Sequence, residues 1–299
     1  MGHSTLIVLL GVLSLPPPIR LDEAVITAGD IGFTWQHIFL TDGRSKCLFK
    51  LNTQGALVAS YCQKGQGPHE FQGIRRLAVT KQEIAVADFR KRSVIFFDHQ
   101  LQPTDELRVG FPPTDVVLTG DDLYVLGFDP KSKQMIHRFT RAGKKLASFG
   151  APLEPTDDML GMQSGFLALQ AGKIYFIHAF RFRIDVFDSD GNPLDTIKHP
   201  GFPGTLLDDV YRKGELNWWN DMYQVITGFA VSSSGHLLVS YRDFRDNKFL
   251  LYHREHTTAP WKVQSDVGPV ALGPNGELLQ KRAAKDGSDA IELKEIVLK

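Results

Sequence analysis

The chain has 299 residues and a formal net charge of zero, because 34 Lys and Arg residues balance 34 Asp and Glu residues. This balance excludes the broad positive field that is typical of proteins binding nucleic acid or anionic membranes over a wide surface. Hydrophobic residues make up 42 % of the chain, enough for a sizeable core, and two cysteines are too few for a disulfide framework. We therefore expect a folded monomer whose partners do not include nucleic acid.

The N-terminal segment at residues 5–15 is apolar and uncharged, and three prolines follow it at residues 16–18. It is too short to span a bilayer, so no transmembrane span is expected. Its length fits the apolar region of a secretory signal, but no Lys or Arg precedes it and no small-x-small cleavage site follows. Export, to a periplasm or the extracellular space, and a cytoplasmic location both stay open. Residues 1–19 are interpreted as a signal-like or disordered segment outside the fold.

An internal repeat is the strongest pattern in the chain. Residues 83–98 read EIAVADFRKRSVIFFD and residues 173–188 read KIYFIHAFRFRIDVFD, and the two segments align without a gap. Each has an alternating apolar strand, a polar loop and a second strand that ends on Phe-Asp. With four looser copies, the hairpins start at Ile38, Ile84, Leu123, Ile174, Leu237 and Leu278. This spacing is typical of four-stranded propeller blades.

Additional strands flank these hairpins. Short apolar strands precede most copies, at residues 77–80, 115–118, 165–169, 228–231 and 269–272, and an outer strand follows most of them. The last copy ends before a fourth strand, which residues 21–27 are predicted to supply. The sequence therefore predicts one all-β domain at residues 20–299, a six-bladed β-propeller of four-stranded antiparallel blades. Its N-terminal strand closes the ring, and an insertion lies near residues 201–224.

A family resemblance rests on the second blade. Its lead-in GQGPHEF at residues 65–71, followed by an inner strand and then VADFRKRSVIFFD, resembles the NHL-type six-bladed propeller repeat. The resemblance implies that Arg92 and Arg183, at matching repeat positions, bind loop carbonyls between blades. Asp88, Asp98 and Asp188 also recur in the repeat, where short carboxylates cap turns.

Two features outside the repeat positions are candidate binding elements. Three equivalent loops, at residues 89–92, 180–183 and 242–245, carry Phe and Arg together, which suits a phosphate or an acidic peptide. The insertion adds a pair of tryptophans. The predicted ligand-binding residues are Arg90, Phe180, Arg181, Phe244, Arg245, Trp218 and Trp219. Packing of these rings between blades, and of the insertion onto the ring, is the alternative interpretation.

No catalytic motif is evident, so we expect a propeller that binds a protein, a peptide, a glycan or a small anionic ligand at the channel mouth. No cofactor and no metal-ligating residue is predicted for that function. The alternative function is a metal-dependent hydrolase or lactonase resembling the gluconolactonase-type enzymes. In that case calcium would lie in the channel, held by Asp, Glu and Asn side chains from different blades.

Cys47 and Cys62 flank a predicted hairpin turn around residues 52–56, and symmetric pairing would place them opposite each other. We expect two small core residues here, because facing strand positions often suit disulfide geometry poorly. A cross-strand disulfide is the alternative.

Overall fold

The computed structural model describes residues 18–25, 29–120, 122–152, 163–199, 224–243, 248–267, 270–272, 278–283 and 291–295. Within these ranges, 24 strands form six four-stranded antiparallel sheets. The same residues contain no helix long and apolar enough to cross a membrane. The predicted all-β propeller of six four-stranded blades is confirmed.

In blades 1 to 5 the strands run in chain order from the inner edge to the outer edge of the sheet, and in blade 6 the N-terminal strand β1 is the outer strand. Blade 1 consists of β2 (Ile31–Phe33), β3 (His37–Asp42), β4 (Cys47–Asn52) and β5 (Leu57–Tyr61). Blade 2 consists of β6 (Ile74–Val79), β7 (Ile84–Asp88), β8 (Ser93–Phe97) and β9 (Pro103–Arg108). Blade 3 consists of β10 (Asp115–Leu118), β11 (Asp122–Asp129), β12 (Gln134–Thr140) and β13 (Lys145–Phe149).

The remaining blades repeat this order. Blade 4 consists of β14 (Gly165–Gln170), β15 (Lys173–His178), β16 (Arg181–Phe187) and β17 (Pro193–Lys198). Blade 5 consists of β18 (Gln224–Val231), β19 (Leu237–Asp243), β20 (Lys248–Arg254) and β21 (Lys262–Ser265). Blade 6 consists of β22 (Val270–Leu272), β23 (Leu278–Ala283), β24 (Ile291–Glu295) and β1 (Ile19–Arg20). All six predicted hairpin starts fall in the second strand of a blade.

The N-terminal strand closes the ring, as predicted, but it lies earlier in the chain than expected. Ile19 pairs with Leu293 across β1 and β24, whereas the expected strand was residues 21–27. Beyond β1 the chain turns, because the amide of Val25 donates to the carbonyl of Asp22. Leu21 and Val25 are instead buried in an apolar cluster with blade 1. The segment therefore joins the first and last blades through both pairing and packing.

The core consists of apolar layers between neighbouring blades. In the layer between blades 1 and 2, Phe39 and Leu48 pack with Phe71, Val86 and Phe97. Strand alternation sends successive side chains to opposite faces of a sheet, so each blade contributes to two layers. The middle strands are consequently buried on both faces.

The repeated aspartates cap turns, as predicted. The Asp88 carboxylate accepts hydrogen bonds from the amides of Gln72 and Gly73 in the lead-in, and of Arg90 and Lys91 in the next turn. Both segments are thereby fixed at one end of the blade.

Asp98 and Asp188 act at the turns between the third and outer strands. Asp98 accepts from the amides of Gln100 and Gln102, and Asp188 accepts from that of Asn192. These bonds replace the backbone partners that a turn lacks.

The role implied for Arg92 and Arg183 differs from what the structure shows. Arg183 donates from Nε to the Asp185 carboxylate of its own strand at 2.8 Å, not to a loop carbonyl of another blade. Arg92 is exposed and has a positive φ of 58° in its turn.

Cys47 and Cys62 form a disulfide, so the expectation of two small core residues is wrong. The pairing of Leu48 with Tyr61 in β4 and β5 sets the register that places the cysteines opposite each other. Their Cα atoms are 4.4 Å apart, a separation that disulfides accept.

Candidate functional site

One end of the ring carries the starts of the inner strands and the turns between the two middle strands of each blade. We call this end the mouth face. Two of the Phe/Arg loops lie at such turns, between β7 and β8 and between β15 and β16, so these two occupy equivalent positions. The third loop, at residues 242–245, begins in β19 and then lies outside the described residues.

The predicted ligand-binding residues fall into two groups. Arg90 and Arg181 are exposed at the mouth face in blades 2 and 4, and Phe180 is half-buried against the core of blades 4 and 5. The other predicted residues lie outside the described residues: Phe244, Arg245, Trp218 and Trp219. The insertion near residues 201–224 lies almost entirely outside them as well, with Gln224 beginning β18.

The turn of blade 2 packs closely on its own lead-in. A Cβ atom at Gly73 would lie 2.8 Å from Cγ of Arg90, so this position has no room for a larger residue. Beside it, the guanidinium of Arg75 lies 4.6 Å from the centre of the Phe89 ring. This is a cation–π arrangement that holds Arg75 at the mouth face.

Arg75 occupies a β-bulge together with Arg76. Ile74 pairs with Asp88 and Leu77 pairs with Val86, so the two arginines share one position of the partner strand. Bulges redirect side chains and often lie beside functional sites. Sequence reasoning missed this pair, although two consecutive charges in an otherwise apolar inner strand were the available signal.

Arg76 connects three blades across the channel. Its Nη1 lies 3.2 Å from Oδ1 of Asp30 in blade 1, and its guanidinium lies 4.1 Å from the ring centre of Phe166 in blade 4. An ion pair and a cation–π contact therefore fix the same group from two sides.

Two aspartates satisfy the inner edges of neighbouring blades. Asp30 accepts from the amide of Leu77 at 2.9 Å, and Asp115 accepts from the amide of Leu167 at 2.8 Å. Inner strands have no neighbour on the channel side, so these carboxylates replace the missing strand partner. Neither aspartate was singled out from the sequence.

The electrostatics of this cluster favour a net positive charge. The pKa of Asp115 is raised to about 7, chiefly by burial; the charge of Arg76 opposes the rise, and the negative charge of Asp30 adds to it. Arg75 is exposed as a residue, but desolvation of its guanidinium, which lies against Phe89, lowers its pKa, and the neighbouring Arg76 charge lowers it further. Arg76 therefore lies beside Asp30 and acts electrostatically on Asp115, whose pKa is close to neutrality.

Among the described residues, no group of three or more His, Cys, Asp or Glu side chains is arranged to hold a metal ion. In the channel, the cation of Arg76 lies beside Asp30 and contributes to the electrostatics of Asp115. The described part of the channel therefore holds a cation beside its carboxylates.

A protein family described as a 6-bladed beta-propeller, DUF5128, matches residues 22–202, which is more than half of the chain. The chain belongs to the DUF5128 family. No curated protein matches its sequence significantly.

Solved structures support the same fold for this DUF5128 propeller. A protein described as exported, from Bacteroides fragilis, is 13% identical with a TM-score of 0.69, and 95% of each chain is covered. Virginiamycin B lyase from Staphylococcus aureus is 12% identical with a TM-score of 0.60, covering 95% of this chain and 89% of the lyase. A duf4221 family member from Bacteroides vulgatus is 6% identical with a TM-score of 0.62, covering 96% and 98%. At such identities the likeness shows the fold alone.

Proposed function

We propose that this DUF5128 propeller binds an anionic ligand, a peptide or glycan bearing carboxylate or phosphate groups, at its mouth face. The observation that carries the proposal is the arginine pair on the bulge of β6. Arg75 and Arg76 lie there side by side, and the exposed Arg90 and Arg181 lie at the same face.

The two bulge arginines differ in the partners they have. Arg76 is engaged by Asp30 and Phe166, whereas Arg75 has an aromatic partner and no carboxylate partner among the described residues. A guanidinium whose only partner is an aromatic ring keeps its N–H donors available for a carboxylate or a phosphate. Arg75 is therefore the central ligand contact in this proposal.

The proposed location is outside the cytoplasm. The disulfide between Cys47 and Cys62 supports it, because such bonds persist in oxidising compartments. The apolar segment at residues 5–15 and the likeness to a protein described as exported agree with it. The NHL-type repeat stays a prediction within the propeller class.

The test uses two labelled probes, hexaglutamate and trigalacturonate, with fluorescence anisotropy of the full chain. We expect at least one probe to bind, and Arg75→Gln to lower its affinity by about tenfold, the usual weight of a charge-assisted hydrogen bond. The double variant Arg90→Gln/Arg181→Gln should lower the affinity similarly. Binding should also weaken as salt rises.

A matched control removes two positive charges from the other end of the ring. Lys144 lies in the turn between β12 and β13, and Lys173 begins β15, both at the end opposite the mouth face. Both side chains are exposed, so the variant Lys144→Gln/Lys173→Gln should bind the probe like the wild type. Failure of both probes to bind, or equal losses in the two double variants, would contradict an anion site at the mouth face.

A channel enzyme is the second candidate function. Asp115 favours it, because a buried carboxyl with a pKa raised toward neutrality is typical of acid–base sites. The metal-dependent hydrolase or lactonase requires calcium in the channel. It predicts a higher Tm with added calcium and a lower Tm with chelator, and an unchanged Tm would count against it.

A further inference from the structure

A cavity of about 610 Å³ lies at the end of the ring opposite the mouth face, between blades 1 and 2. Its walls come from the β2–β3 turn, from β4, from the end of β6 and from the turn after β8. Sites for small molecules usually enclose about 300–1,000 Å³. The cavity therefore has room for a small ligand and is too small for a folded partner.

Lys50 is the unusual residue in its wall. Its neighbour on the same face of β4, Leu48, is part of the apolar layer between blades 1 and 2. Lys50 retains only 9% of its accessible surface, and within the described residues nothing contacts its ammonium group as an ionic or hydrogen-bonding partner. The stem of the side chain is therefore packed in the wall, and the ammonium group is left available to a ligand in the cavity.

The other polar side chains of the cavity carry no negative charge. His37, Lys81 and His99 line it together with Lys50, and among the described residues that line it there is no Asp or Glu. Burial is the main cause that lowers the pKa of His37, and Lys50 and His99 lower it further by like-charge repulsion. The field inside the cavity is therefore positive.

The wall is fixed before any ligand arrives. His99 donates from Nε2 to the carbonyl of Thr80 at 2.9 Å, and its ring lies 5.5 Å from that of Phe39. On the other side, Thr34 and His37 bond each other across the β2–β3 turn. A site that needs no rearrangement spends less of its binding energy on ordering.

Trp35 stands on this turn with 71% of its surface exposed. A large flat ring in that position adds nothing to the core, and it borders the cavity. Exposed aromatic rings beside a charged pocket are typical stacking surfaces for ring-bearing ligands.

We propose that this cavity binds a small organic anion in which one carboxylate or phosphate is attached to a flat ring. The anionic group bonds the ammonium of Lys50, and the ring stacks on Trp35. The site is separate from the mouth face, because it lies at the other end of the blades.

The first experiment titrates the full chain by calorimetry with three probes: indole-3-acetate, adenosine 5′-monophosphate and the uncharged indole-3-acetamide. We expect at least one of the two anions to bind, and the two acids distinguish a carboxylate from a phosphate ligand. If indole-3-acetate binds, the amide should bind at least about tenfold more weakly, since it cannot pair with Lys50. No binding by either anion at about 5 mM, or equal binding of indole-3-acetate and its amide, overturns the proposal.

The second experiment locates the site with variants. Lys50→Met keeps the length of the side chain and removes its charge, so anion affinity should fall at least about tenfold while the Tm stays equal or rises. Lys173→Met, an exposed lysine at the same end of blade 4, is the matched control and should bind like the wild type. Wild-type affinity in Lys50→Met overturns the proposal.

Trp35→Ala keeps the test decisive if Lys50→Met does not fold, because Trp35 is exposed and outside the core. This variant should lower the affinity for the anion about tenfold and leave the Tm unchanged. An unchanged affinity overturns the proposal that the ring of the ligand stacks on Trp35. The variant Arg90→Gln/Arg181→Gln should bind these small anions normally. A loss there would place the anions at the mouth face and overturn this second site.

Discussion

Blades 1 and 3 use the same device at the channel but support it differently. Asp30 and Asp115 each accept an amide from the inner strand of the following blade. The side chain of Asp30 is 21% exposed and faces Arg76, whereas Asp115 is buried. The same contact is therefore partly accessible to water in blade 1 and lies in the protein interior in blade 3.

The two blades also differ in the interactions that hold their strands together. Blade 1 has a three-residue inner strand and a disulfide between β4 and β5. Blade 3 has an eight-residue second strand and the buried His137, which bonds the carbonyl of Gly127 and the hydroxyl of Ser148. A covalent bond supports one blade, and buried polar groups support the other. Each support can be removed separately.

Removing the disulfide should have the largest effect. We expect Cys47→Ala/Cys62→Ala to lower the free energy of unfolding by about 3 kcal/mol, because the unfolded chain regains the freedom of a closed loop. Urea denaturation measures this loss. A reductant should destabilise the wild type by a similar amount and leave the double variant unchanged. Equal free energies of unfolding for the oxidised wild type and the double variant would mean that the disulfide does not stabilise blade 1.

Truncating the two aspartates compares the blades directly. Asp115→Ala should cost about 2 kcal/mol, because the amides of Val116 and Leu167 lose their acceptor in a buried wall. Asp30→Ala should cost about 1 kcal/mol, since water reaches its site and replaces the carboxylate. Urea denaturation at neutral pH gives both values. Equal losses in the free energy of unfolding would show that the greater burial of Asp115 does not make its hydrogen bonds more important for stability.

Much of the ring follows from local patterns. The hairpin starts and the caps at Asp88, Asp98 and Asp188 depend on residues close together in the chain, so alternation and turn chemistry predict them. The β2 strand was missed because three residues around Gly32 carry too little pattern.

The missed site residues depend on contacts between distant segments. The bulge at Arg75 and Arg76 is a property of the pairing between β6 and β7, which one strand alone does not reveal. The surroundings of Lys50 exist only after blades 1 and 2 pack together. The register of Cys47 and Cys62 was predictable, but the bond depends on the spacing of the two strands.

The pH dependence of stability tests the buried site of Asp115 alone. Its pKa is about 7 in the folded protein against about 3.9 in an unfolded chain, so the folded state binds the proton more tightly. Its contribution is fully present below pH 4 and is lost as the pH rises through 7. The stability of the wild type relative to Asp115→Asn should therefore fall over this window by on the order of 3 kcal/mol, since each unit of pKa difference corresponds to about 1.4 kcal/mol.

The subtraction removes the opposing contribution of His137, whose pKa burial lowers to about 4 and which both proteins retain. Guanidinium denaturation at several pH values between 4 and 8 provides the measurement. A constant difference between the two proteins would show that Asp115 is ionised throughout this pH range.

The smallest effects should come from the bulge that lies between the two aspartates. Arg76→Gln removes the ion pair with Asp30 and the contact with Phe166, so it should cost about 1 kcal/mol in urea denaturation. Arg75→Gln changes an exposed residue, so it should lower the free energy of unfolding by less than about 0.5 kcal/mol. It should, however, lower the affinity for the anionic probe. Of the two adjacent arginines, Arg76 would then stabilise the fold and Arg75 would bind the ligand. If Arg75→Gln destabilises the protein as much as Arg76→Gln, the contact with Phe89 is structural and the mouth face loses its central ligand contact.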